Sequence, residues 1–128
     1  MDGVAPGAFF SLWQDRKIRN MAEFILHMHV EGDRYINFAD ASAVLEPCSA
    51  REYLFGEAVG SVPLMALAAS DARRAERPDL PDDISLFNRV MAISSLSDIA
   101  DFIAEPERPA DIYYPSCGLF IVRDERFV

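Results

Sequence analysis

The sequence predicts a mainly α chain of successive helical hairpins, with a short strand after the first helix and a β-hairpin at the C-terminal end. Three observations carry that prediction. Apolar residues recur at three- and four-residue steps through most of residues 15–103. Turn and capping residues cut this pattern into segments of helix length. After "AEPERPAD", residues 104–111, the spacing gives way to an unbroken apolar run from Leu119 to Val122, which reads as a strand.

The first helix is predicted from about Asp15 to Val30. Ile18, Met21, Ala22, Ile25 and His29 fall on one face, and Arg16, Arg19, Asn20, Glu23 and His27 on the opposite one. Phe24, Leu26 and Met28 widen the apolar side, so the helix is expected to pack on more than one neighbour. Glu31-Gly32-Asp33 is a stop and turn, followed by a strand over about Arg34 to Phe38. Ser49 and Glu52 have capping-box spacing for a second helix that Gly60 can end. Ser61 is placed to cap a third, with Pro63 tolerated in its first turn. Residues 70–83, "SDARRAERPDLPDD", read as a helix end and an exposed loop in which Arg73, Arg74 and Arg77 suit the negative end of the helix dipole. A helix over about Asp83 to Ile93 follows, then a short one capped by Ser95 and Asp98. The strand from Leu119 is apolar on both faces, so it expects cover on both sides. A polar turn near Asp124-Glu125 would pair it with Phe127 and Val128. Such a hairpin is marginal alone, which makes a truncated sheet the expectation here.

Composition narrows the function classes. The net charge is -9, which argues against binding nucleic acid through its phosphates. Eleven of the twelve basic residues are Arg, and the remaining one is Lys17. No apolar run has the length of a membrane span, and the first residues form no signal peptide, which leaves the compartment unknown. Cys48 and Cys117 fit no metal spacing, and two cysteines with two histidines make a zinc site within the chain unexpected, so neither metal nor cofactor is called for. The expectation for the cysteines is two separate, mostly buried thiols.

Residues 17–43, "KIRNMAEFILHMHVEGDRYINFADASA", resemble a segment of the heparinase II/III-like polysaccharide lyases. "REYLFGEAVGS" and "YYPSCGLFIVRDERF" follow in the order that resemblance implies. It implies an (α/α) toroid of paired helices over residues 1–103, a linker over 104–112, and the start of a truncated β-sandwich over 113–128. It also implies β-elimination of an acidic, uronate-containing polysaccharide. That chemistry requires a neutralised carboxylate, a Tyr or His base for the α-proton, and an acid for the leaving oxygen. The family's Asn-His pair, upstream Tyr and His-rich sandwich run have no counterpart here: the chain holds no Asn-His dipeptide and no His after His29. No catalytic residue is therefore carried over, and the isolated chain is expected to be inactive. Its partners would be the polysaccharide, through the parent protein, and either the rest of the parent or an oligomer partner over its apolar faces.

Asn37 and Asp40 are the candidate substrate-binding residues. The competing reading, which turn chemistry favours, has them bonding backbone N–H groups of their own turn. His29 reads as a core histidine with one partner rather than a site imidazole, and His27 as solvent-exposed. Tyr35, Tyr53, Tyr113 and Tyr114 read as packing residues with satisfied hydroxyls. Two other classes stay open: a small helical module that binds a protein through its apolar surplus, and a hydrolase using Asp40 with Ser42 or His29.

Overall fold

A computed structural model describes residues 10–75 and 86–124. In order, it contains α1 (Phe10–Trp13), α2 (Arg16–Met28), β1 (His29–Glu31), β2 (Arg34–Tyr35), α3 (Ala50–Val59), α4 (Val62–Ala75), α5 (Leu86–Ser94), α6 (Leu96–Asp101), β3 (Asp111–Tyr114) and β4 (Leu119–Val122). The chain is mainly helical, with two antiparallel two-stranded sheets, β1–β2 and β3–β4.

Asp15 caps α2 by accepting from the Lys17 N–H at 2.8 Å. The helix stops at Met28, two residues short of the predicted end, and His29 turns extended. The reason is the hairpin that follows. Gly32, at φ +60, opens a two-residue turn that pairs Glu31 with Arg34 and His29 with Tyr35. A glycine at the first turn position supplies the left-handed residue such turns require. The predicted strand over Arg34 to Phe38 is correspondingly shorter, although Ile36 N–H still donates to Met28 O.

The capping box of α3 forms as predicted, and Gly60 ends the helix in the left-handed region at φ 70. α3 and α4 then fold back on each other. Gly56 lets them approach: a Cβ there would lie 2.9 Å from Met65 Cγ and 3.1 Å from Ser61 O. Ser61 precedes α4 but sends its hydroxyl to Glu23 at 3.4 Å. α4 runs on to Ala75, and Ala69, Asp71 and Ala72 are buried. The helix end predicted from residue 70 is therefore found, running to Ala75 with Asp71 and Ala72 buried and Arg73 and Arg74 exposed; the loop predicted after it lies outside the described residues. Ser95 precedes α6 without capping it, its Oγ donating instead to the carbonyls of Met91 and Ala92.

The main core joins α2, α3, α4, α5 and α6. Leu26, Leu64, Leu67 and Ile99 are fully buried, and Ala22, Ala68, Ala69 and Ala92 keep the helices close. Each buried Leu or Ile contributes about 1.5–3 kcal/mol. Met28, Tyr35 and Ile121 form a second cluster with Phe24, Ile112 and Tyr114. Thus α2 is covered on two sides, as its wide apolar face predicts.

The C-terminal hairpin forms with a different partner. β4 has the predicted residues but pairs with β3, from Asp111↔Val122 to Tyr114↔Leu119. The strand alternation of "DIYY" within and just after the linker supplies that partner. The pairing expected with Phe127 and Val128 lies outside the described residues. Among the described residues β4 has cover on one side: Ile121 is buried, whereas Phe120 and Val122 are exposed on the opposite face.

Candidate functional site

The loop from Ile36 to Leu45 lies against α2 and lines one side of an open apolar cleft of about 190 Å³. Phe24, Ile25 and Met28 form its floor, and Ile36, Phe38, Ala41 and Leu45 its walls. Phe24 meets Phe38 edge-on at 6.4 Å between ring centres. Ala39 takes φ 53, a left-handed conformation that costs an L-residue about 1–2 kcal/mol. Asn37 and Asp40 are exposed and do not line this cleft. Asp40 accepts no backbone bond from the described residues; the turn is tied instead by Ala41 N–H to Phe38 O and by Val44 N–H to Ser42 Oγ at 3.2 Å.

A second, polar feature runs beside it, where the helices meet the β3–β4 hairpin. His29, predicted on a helix, sits in β1 and is 4 % exposed. Its Nδ1 faces Arg108 Nη1 at 3.2 Å, and its Nε2 faces Gly32 O at 3.0 Å. A guanidinium only donates, so Nδ1 must accept and Nε2 must carry the proton. The imidazole is therefore neutral. Burial pushes its pKa below the ordinary histidine value; the Gly32 carbonyl and Asp71 act against this, and Arg108 and Arg74 with it. The Tyr35 ring closes over it edge-on at 5.1 Å.

The network continues inward. Arg74 Nη2 donates to Gly32 O at 3.0 Å and to Asp71 Oδ1 at 2.9 Å. Asp71 Oδ2 accepts the Cys48 N–H at 2.9 Å, and Tyr35 Oη lies 3.4 Å from Cys48 Sγ. Burial pushes the Cys48 thiol up to about 12 and the Tyr35 phenol well above its ordinary range. Both remain protonated, so this pair is a structural contact and not a nucleophile site.

On the outer side, Tyr114 Oη bonds His27 Nδ1, and Arg123 donates to the carbonyls of His27, His29 and Pro109. His27 is thus half-buried rather than solvent-exposed. Burial lowers the His27 pKa and raises that of Tyr114, which keeps a neutral imidazole beside a protonated phenol. Both shifts oppose transfer of the phenol proton to the imidazole, so the pair is a hydrogen-bonded joint between α2 and β3.

Three tyrosines meet the expectation of packing with a bonded hydroxyl: Tyr35, Tyr114, and Tyr53, which donates to Asp98 O at 3.4 Å. Tyr113 is instead 62 % exposed against Phe120. Arg73 and Arg74 lie exposed in the last turn of α4, as expected of a solvated helix end, and from there reach Phe102 O and Asp71; Arg77 lies outside the described residues. Cys117 is exposed, against the expectation of two buried thiols. Neither the Asp40–Ser42 nor the Asp40–His29 combination required for hydrolysis forms a hydrogen bond among the described residues. No group of three His, Cys, Asp or Glu there could hold a metal ion, and no helix among them is long and apolar enough to cross a membrane.

The seam could not be found by local spacing, because His27 and Tyr114 are 87 positions apart and His29 and Arg108 are 79. Asp71 did leave a signal: Leu64, Leu67, Ala68, Asp71 and Ala72 share the three- and four-residue steps of one face. Compared with known proteins, the chain matches no family model and no curated protein at significant similarity.

Proposed function

We propose that the chain is a segment of a heparinase II/III-like polysaccharide lyase, spanning the last helices of its toroid and the first strands of its β-sandwich. The parent cleaves a uronate-containing polysaccharide by β-elimination, and the proton-transfer residues lie outside these 128 residues. The observation that supports this reading is the order and docking of the elements: helical hairpins come first, and the β3–β4 hairpin then packs on α2 beside the segment "GDRYINFADASA" that carries the resemblance. The outward exposure of Phe120 and Val122 is in keeping with a further layer over that hairpin.

The test compares the 128-residue chain with a longer product of the same gene on a panel of uronate polymers, following the ultraviolet absorbance of the unsaturated sugar end. The longer protein releases it and the short chain does not. Release by the short chain overturns the division of labour, and release by neither, across the panel, overturns the lyase reading.

A second reading is supported by α5. Leu86, Phe87, Val90 and Ile93 are all exposed, Leu86 by 77 %, and such a stripe suits a helical protein-interaction module without catalytic activity. In that reading Phe87→Glu abolishes capture of a protein partner and leaves the melting temperature unchanged; in the lyase reading no such partner is required.

A further inference from the structure

The segment 102–110, which joins α6 to β3, is held to the helical part through Arg108 and, at its far end, through Arg123, which donates to Pro109 O and to the carbonyls of His27 and His29. Arg108 Nη1 reaches two acceptors at once, His29 Nδ1 and Val30 O. Protonation changes the first of these completely. An imidazolium has no acceptor, so Nδ1–H would point at a group that only donates. It would also place a positive charge 3.2 Å from the guanidinium nitrogen. The surroundings offer little relief. From α4, His29 faces Arg74 and Asp71; from the linker, Arg108; from just after β4, Arg123, bound to its own carbonyl; from β2, the phenol of Tyr35; and from the β1–β2 turn, the Gly32 carbonyl, which already holds the Nε2 proton. Asp71 is the single carboxylate among these groups, and it already accepts from Arg74 and Cys48 N–H.

We propose that His29 is a pH-operated latch on the linker: neutral, it holds Arg108 against β1, and protonated, it releases Arg108 from both His29 and Val30. The device does not depend on the lyase reading.

The sign follows from the geometry. The folded state favours neutral His29, so the unfolded or unlatched state binds more protons. The latch is fully formed above the ordinary histidine value of about 6.5 and weakens as pH falls below it. His27 behaves differently. Its Nδ1 faces a phenol, which donates or accepts, so that bond survives protonation by reversing its direction.

The test is hydrogen exchange on the full chain, read at the Arg123 amide, which donates to Ala110 O at the end of the linker, and corrected for intrinsic rates, between about pH 7.5 and about pH 5. Protection should fall about tenfold across this range as the imidazole takes up its proton. In His29→Gln, whose amide oxygen accepts from Arg108 at every pH, protection should stay flat. In His27→Gln it should fall as in the wild type. A flat wild-type profile, or an unchanged response in His29→Gln, overturns the latch. If His29→Gln does not fold, nitrogen NMR of the wild-type ring decides: His29 should show the Nε2–H tautomer, and Arg108→Met should raise its titration midpoint. A midpoint unmoved in Arg108→Met overturns the proposal.

Discussion

Asp71 ties three parts of the chain together. It lies on α4, accepts the Cys48 N–H just before α3, and holds Arg74, which reaches the β1–β2 turn. Asp71→Ala leaves that N–H without its partner and frees the guanidinium. We expect a loss of about 3 kcal/mol in urea unfolding with an unchanged m-value, most of it from the interior bond, since Arg74 is partly exposed and screened. Asp40→Asn should change stability by less than about 0.5 kcal/mol, because that carboxylate is exposed and holds nothing among the described residues. The two aspartates exchange the roles their neighbourhoods in the sequence suggest. Asp40 sits in a turn rich in small residues, which favours local capping. Asp71 sits among charges, yet its helical spacing places it inside. The cysteines give an equally direct check. In the folded chain an alkylating reagent should modify Cys117 alone, with Cys48 reacting only after unfolding; two adducts under native conditions would contradict its burial and raised pKa.

At the scale of elements, the closest approach is α3 on α4 at Gly56. An added methyl gains helix propensity of about 1 kcal/mol but meets backbone atoms of Met65 and Ser61 that cannot swing aside. Gly56→Ala should therefore cost a net amount of about 1–3 kcal/mol and lower the melting temperature. Most helices were legible because capping boxes and apolar periodicity are local. The starts of α2 and α3 follow from Asp15, Ser49 and Glu52. The end of α2 was not legible in this way. His29 continues the helical spacing, and only its pairing with Tyr35 across the Gly32 turn converts it to strand. β4 was legible as an apolar run, but its partner was not. β3 is four residues long, half its residues are exposed, and it begins inside what composition marks as a linker.

Across the whole molecule, the two apolar clusters meet on α2, and the polar seam of Arg108, His29, Arg123, His27 and Tyr114 fastens the hairpin beside them. Mainly α character and the final change to strand were readable from the sequence. The seam was not, because it depends on contacts between residues 79 to 96 positions apart. The candidate pair Asn37 and Asp40 faces solvent beside the cleft rather than lining it. The uncovered sides are apolar: Phe120 and Val122 on the hairpin, Phe87 and Val90 on α5. A chain that buries these faces against further parts of one protein should gain solubility when they are joined to it. Phe120→Asp should raise the solubility of the isolated 128 residues and leave its helical signal unchanged, which light scattering and circular dichroism can follow.

For the parent enzyme proposed above, elimination is told from hydrolysis by digesting a uronate polymer with a longer product of the gene in heavy-oxygen water and weighing the product ends at once, before the anomeric oxygen exchanges. Elimination breaks the bond without adding water, so unsaturated ends with no solvent oxygen in either new terminus are expected. Saturated ends carrying one solvent oxygen per cleavage would overturn the lyase reading.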